Sequence, residues 1–123
     1  MRTRRMNNDV LEILNKDNRV VLSIIEELID GQMHMKFIGD IGNDVAHEFE
    51  DEIMAILSVC NYLHLDFEQV DYVASMALKS LLSIQQMIDE MDDAEMILYR
   101  VSEPVMKIFN ESGFSEIIRI ENE

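Results

Sequence analysis

The stretch Leu63–Leu82, LHLDFEQVDYVASMALKSLL, changes its hydrophobic rhythm part-way along. Leu63, Leu65 and Phe67 alternate with His64 and Asp66, which is the two-residue repeat of a half-buried strand. Polar residues interrupt at Glu68–Asp71. Ala74, Ala77, Leu78, Leu81 and Leu82 then follow at helical spacing, and the helix runs on through Ile84, Ile88 and Met91 to Asp92-Asp93. The middle of the chain is therefore a strand–turn–helix unit. Ser75 lies where the helix starts, and its side-chain oxygen can cap the free first-turn N–H groups. The positive end of the helix dipole at that point would also favour a phosphate.

The rest of the pattern builds outward from this unit. Residues 1–8 carry Arg2, Arg4 and Arg5 and are expected to fray. Asp9–Leu14 reads as a short helix with Val10, Leu11 and Leu14 on one side, followed by a turn over Asn15–Asn18. From Arg19 to Ile41 the pattern is a β-hairpin: Val20–Leu28, a turn at Asp30-Gly31, then Met33, Met35 and Phe37 alternating with His34, Lys36 and Ile38. Gly39–Asp44 is a loop. Asn43 or Asp44 is positioned to cap a helix reaching about Cys60, with Val45, Phe49, Ile53, Ile56 and Leu57 as its apolar stripe. Glu48, Glu50, Asp51 and Glu52 read as that helix's solvated face.

Ala94–Val101 is a further buried-type strand. Ser102-Glu103-Pro104 starts a helix lined by Val105, Ile108 and Phe109, and Gly113 is its expected C-cap. Phe114–Ile120 closes as a strand. The fold class is α/β, a mixed sheet of an antiparallel hairpin followed by parallel strands, with about four helices. Residues 1–18 form a partly helical extension and 19–123 the domain. Right-handed crossovers between neighbouring strands put all the crossover helices on one face. Leu11 and Leu14, or a second copy of the chain in a homodimer, would cover the other.

Composition narrows the function. At 123 residues the chain is one domain, and 48% hydrophobic residues with one proline mark it as globular. A net charge of -15 excludes phosphate-backbone recognition and disfavours anionic membrane surfaces, while suiting a partner with a basic face. The single Cys60 cannot form an internal disulfide and is expected to be a buried thiol. The opening MRTRRMNN lacks the apolar core of a signal peptide, and no run is long enough to span a bilayer, so a bacterial-style cytoplasmic protein is expected.

Catalytic patterns are missing. His34, His47 and His64 show no metal-binding spacing, and the acidic clusters at Glu48–Glu52 and Asp89–Asp93 lack the form of a calcium loop. No glycine-rich phosphate loop is present, and Ser75 has no nucleophile-elbow glycines. No enzyme, metal or cofactor is expected.

Three segments together carry a likeness: Lys36–Ile41, then Leu63–Leu78, then Ser102–Val105 with Ser112-Gly113-Phe114. In this order, across Val20 to Ile120, the chain resembles the STAS domain of bacterial anti-sigma factor antagonists and sulphate-transporter tails. The resemblance implies a regulatory protein that binds a partner-switching serine kinase acting as an anti-sigma factor. Phosphorylation of a serine at the start of the central helix would control that binding. The family's Asp-Ser-Ser-Gly-Leu run aligns with Ala74-Ser75-Met76-Ala77-Leu78, so the phosphoacceptor maps to Ser75, with Ala74, Met76 and Ala77 departing from the pattern. The common Gly-Glu-Leu-Asp reads Gly39-Asp40-Ile41-Gly42. The resemblance implies a partner-binding surface of Gly39, Asp40, Asn43, Ala74, Met76, Ala77 and Lys79. An alternative is a small STAS-like subunit docking on the ATPase of a membrane lipid-transport complex. A plain helix cap at Ser75, in a module without a switch, is the simplest reading of that residue.

Overall fold

The structure is a computed structural model and describes residues 1–7 and 9–122. Its strands are β1 (Arg2–Met6), β2 (Val10–Leu14), β3 (Val20–Ile29), β4 (Gln32–Ile38), β5 (Tyr62–Gln69), β6 (Glu95–Tyr99) and β7 (Arg119–Glu121). Its α-helices are α1 (Ala46–Leu57), α2 (Ser75–Asp89) and α3 (Glu103–Ser112). The strands lie in one sheet in sequence order. Ladders among β1, β2, β3 and β4 are antiparallel, and those from β4 through β5 and β6 to β7 are parallel. Asp30 at φ 51° and Gly31 at φ 81° make the β3–β4 turn that their sequence predicts.

One core joins the sheet to all three helices. Leu22, Ile24, Met35, Phe37, Leu63, Leu65, Phe67 and Leu98 pack with Phe49 and Ile53 of α1, Ala77, Leu81 and Ile84 of α2, and Val105 and Phe109 of α3. The helices therefore share one face of the sheet, as consecutive right-handed crossovers require. Four phenylalanines anchor this layer. Phe37 meets Phe49 and Phe67 edge-on at 5.2 and 5.3 Å, and Phe67 leads on to Phe109 at 6.4 Å.

The N-terminal segment differs from the sequence reading. Residues 2–6 are a paired strand and not a frayed end, and Val10–Leu14 is a strand and not a helix. Over five residues a helical and a strand period fit almost equally well. Ile13 decides between them, because Leu11 and Ile13 enter the core together only if the backbone is extended. The helix count is accordingly three, with a short 3-10 turn at Phe114–Glu116 where the last strand was expected to begin. The segment lengthens the sheet and leaves the second face open.

That open face carries cross-strand rows of polar and aromatic side chains. One row runs Ile25–Lys36–Asp66–Tyr99–Glu121, the next Glu27–His34–His64–Ile97–Arg119. His34 and His64, far apart in sequence, are thus neighbours with ring centroids 4.5 Å apart, and His64 lies 4.8 Å from Tyr99. Cys60 lies beyond the end of α1 and is half-buried, not a core thiol. Glu52, assigned by its spacing to a solvated face, is buried, because Arg5 of β1 reaches it.

Candidate functional site

The parallel pairing of β4 with β5 does not stop where the strands end. Gly39 N donates to Gln69 O at 3.1 Å, Ile41 N to Tyr72 O at 2.9 Å, and Ala74 N back to Ile41 O at 2.9 Å. An isolated parallel bridge joins Ile41 to Val73. Buried Ile41, Val70 and Val73 anchor this zipper from below. Gly39 is required where it stands: its φ is +123°, and a Cβ would come within 2.6 Å of the Val21 carbonyl oxygen. Ser102 fixes the other side, its Oγ donating to Val70 O at 2.5 Å. The loop after β4 and the turn after β5 therefore form one platform.

The platform meets the start of α2. Ala74, extended at φ -77° and ψ 166°, is the N-cap residue, and Ser75 is the first residue of the helix. Ser75 does not cap α2. Asn43 does so from across the platform, its Oδ1 accepting the Met76 N–H at 3.0 Å. Asn43 and Asp44 do not cap α1 either. Val45 is the N-cap there with no side-chain bond, and its N–H is taken by Gly42 O at 3.2 Å. That backbone turn frees the Asn43 amide to serve the neighbouring helix.

Of the residues expected on a docking surface, Asp40, Asn43, Ser75, Met76 and Lys79 are exposed. Gly39 is half-buried at the base. Ala74 and Ala77 are buried, so their side chains support the surface and do not form it. Small side chains there let the helix start sit close to the sheet. Among the described residues the Ser75 hydroxyl has no hydrogen-bond partner. Met76 is 53% exposed and Tyr72 50%, which puts an apolar side chain on each side of the serine in sequence. Tyr72 escaped the sequence reading because it lies in a polar break with no periodicity to mark it. Lys79 stands one turn beyond Ser75 on α2 and is a cation within reach of the same helix face.

A family model for the STAS domain matches residues 12–123. The chain belongs to the STAS domain family. Comparison of the sequence with curated proteins gives no match. Among solved structures, this STAS domain is similar to an anti-sigma factor antagonist from Mycobacterium paratuberculosis, with a TM-score of 0.69 and 16% identity over 88% of this chain and 89% of that one. It is also similar to the anti-sigma factor antagonist SpoIIAA in its unphosphorylated form, with a TM-score of 0.63 and 13% identity over 81% of this chain and 88% of that one. The phosphorylated form of SpoIIAA, a Bacillus cell fate determinant, gives 0.62 and 14% over 81% and 90%. At these identities the likeness is one of fold: the STAS sheet and helices persist with few side chains in common.

Elsewhere in this STAS domain, a cavity of about 490 Å³ on the open sheet face is lined by His34, Lys36, His64, Asp66, Tyr99 and Arg100, among others. Burial, then the neighbouring His34, lowers the His64 pKa, which keeps the ring neutral at pH 7. Burial raises the Tyr99 pKa. None of the residues of the α2 platform lines this cavity. No helix among the described residues is long and apolar enough to cross a membrane.

Proposed function

We propose that this STAS domain is a regulatory protein-binding module of the anti-sigma factor antagonist type. It docks a partner-switching serine kinase that serves as an anti-sigma factor, using the platform of Asp40, Asn43 and Met76 around Ser75, with Lys79 beyond. The observation that carries this reading is the exposed, unpartnered Ser75 hydroxyl at the N-terminus of a helix whose first turn is already capped by Asn43. A serine needed as a cap would have its oxygen turned to the backbone. This one is left for a partner.

A phosphate on Ser75 adds about -1.5 to -2 charges at the positive end of the helix dipole. The fold accommodates it there. The change falls on the docking surface, where added charge and bulk beside Met76 oppose an apolar contact. No observation favours the transport-complex alternative.

The test is phosphorylation in the purified system. With ATP and a partner-switching kinase, mass spectrometry is expected to find phosphate on Ser75, and the modified protein is expected to lose its grip on that kinase. Phosphate absent from Ser75, with kinase binding unaffected by Ser75→Asp, would refute the reading.

A further inference from the structure

The open face of the sheet holds a cation that its neighbours leave unmatched. Lys36 on β4 stands between Ile25 and Asp66 in its cross-strand row. Asp66 is the carboxylate opposite it on β5, where an ion pair would be expected. Both oxygens of Asp66 are committed elsewhere. Oδ1 accepts the backbone N–H of Glu68 at 3.0 Å, and Oδ2 accepts Arg100 Nη2. Among the described residues Lys36 makes no ion pair.

Arg100 is what removes Asp66 from Lys36. It follows β6 with φ at 51°, a left-handed backbone adopted here without a glycine. Such a conformation persists where surrounding contacts hold it, and here the guanidinium spans Asp66 and Glu68, with Nη1 3.2 Å from Glu68 Oε2. The Lys36 ammonium is left facing the cavity of about 490 Å³, which has the size of a small-molecule site.

Beside Lys36 the lining is aromatic. His34, His64 and Tyr99 form a run of rings across three strands, with successive centroids 4.5 and 4.8 Å apart. Ile25, 36% exposed, adds an aliphatic side on β3. His64 is neutral at pH 7 because burial and then His34 lower its pKa, so it offers a ring and not a second cation.

We propose that this cavity binds a small planar aromatic monocarboxylate, its carboxylate on Lys36 and its ring against His34, His64 and Tyr99. A planar ring gains stacked or edge-on contact with these side chains that an aliphatic acid lacks. The lining also sets the charge. Glu27 and Asp66 balance Lys36 and Arg100, so one negative charge is matched, whereas the second charge of a phosphate meets Glu27. The site shares no residue with the α2 platform and stands whether or not that platform docks a kinase.

Naphthoate is the probe. Titrated into the isotope-labelled, unmodified chain, it is expected to shift the NMR signals of Lys36, His64 and Tyr99 and to leave those of Ser75 and Met76 in place. Naphthamide keeps the ring without the charge, and cyclohexanecarboxylate keeps the charge without the aromatic ring. Each is expected to bind about tenfold more weakly than naphthoate, or worse. Naphthyl phosphate is expected to bind no more tightly than naphthoate. Lys36→Met keeps the aliphatic stem, and its own spectrum reports whether the fold is intact. In that variant naphthoate should bind only as well as naphthamide, and Lys36→Arg should restore the preference. The unmodified chain alone can overturn the proposal: no shifts on β4–β6 up to the solubility of naphthoate, or equal affinity for naphthoate and either control, would do so. Tighter binding of naphthyl phosphate would overturn the single-charge assignment, and undiminished naphthoate binding by folded Lys36→Met would overturn the role of Lys36.

Discussion

The side-chain oxygen of Asn43 holds the backbone N–H of Met76 at 3.0 Å, so a residue of the β4–α1 loop closes the first turn of the helix that follows β5. The cap ties two segments that are distant in sequence and sets the position of Ser75 between them. Asn43→Ala should cost about 1 kcal/mol of stability in urea denaturation. Asn43→Asp, which keeps the acceptor, should restore most of it. Met76 amide exchange should quicken in the alanine variant alone; equal exchange in both variants would show that the cap does not govern the helix start.

Gly39 is the pivot under the same loop. Alanine there must adopt φ +123° and push its Cβ against the Val21 carbonyl, 2.6 Å away. A loss of about 1–3 kcal/mol follows from such strain. Gly31→Ala is the control, because its φ is +81° but nothing lies within 4 Å of the added atom. Denaturation midpoints should fall further for Gly39→Ala than for Gly31→Ala.

Glu26 gives stability a pH dependence of known sign. Burial raises its pKa from 4.5 to about 8, helped by a hydrogen bond that the protonated carboxyl donates to Glu52 and by the charge of Glu52, and opposed by Arg5. The folded chain holds this proton more tightly than the unfolded one. Its contribution is complete below 4.5 and is lost as pH rises through about 8. Glu26→Gln removes the titration. Its stability relative to the parent should therefore climb across that window and level off above it; parallel pH–stability curves would contradict the assignment.

Met76 separates docking from folding. At 53% exposed it touches little of the core, so Met76→Asp should change stability by no more than about 0.5 kcal/mol. Ser75→Asp should be equally mild, since a negative charge in the first turn is favoured by about 0.3–1 kcal/mol. Both should weaken capture of the proposed kinase partner in a pull-down. Full binding by Met76→Asp would move the docking surface away from α2.

Long periodic segments were legible in the sequence. The alternation of Leu63, Leu65 and Phe67, the helical stripe from Ala77 to Ile84 and the Asp30-Gly31 turn each appear where local pattern puts them. So does Gly113 at the end of α3, with φ 78°. Local rules failed where the deciding partner was remote. Asn43 was placed on the nearer helix because spacing measures distance along the chain only. Glu52 read as solvated because nothing in its own helix foretells Arg5.

Sequence alone determined the order of strands and helices from Val20 onward, the glycine-dependent turns and the place of Ser75 at the head of the central helix. These follow from backbone preference and burial period, which act over a few residues. Tertiary structure decided that Arg2–Met6 and Val10–Leu14 are strands, that Ala74 and Ala77 lie beneath the surface, and that Asn43 caps α2. Each depends on a hydrogen bond or a buried contact between segments far apart in the chain, and that proximity exists only once the sheet has formed.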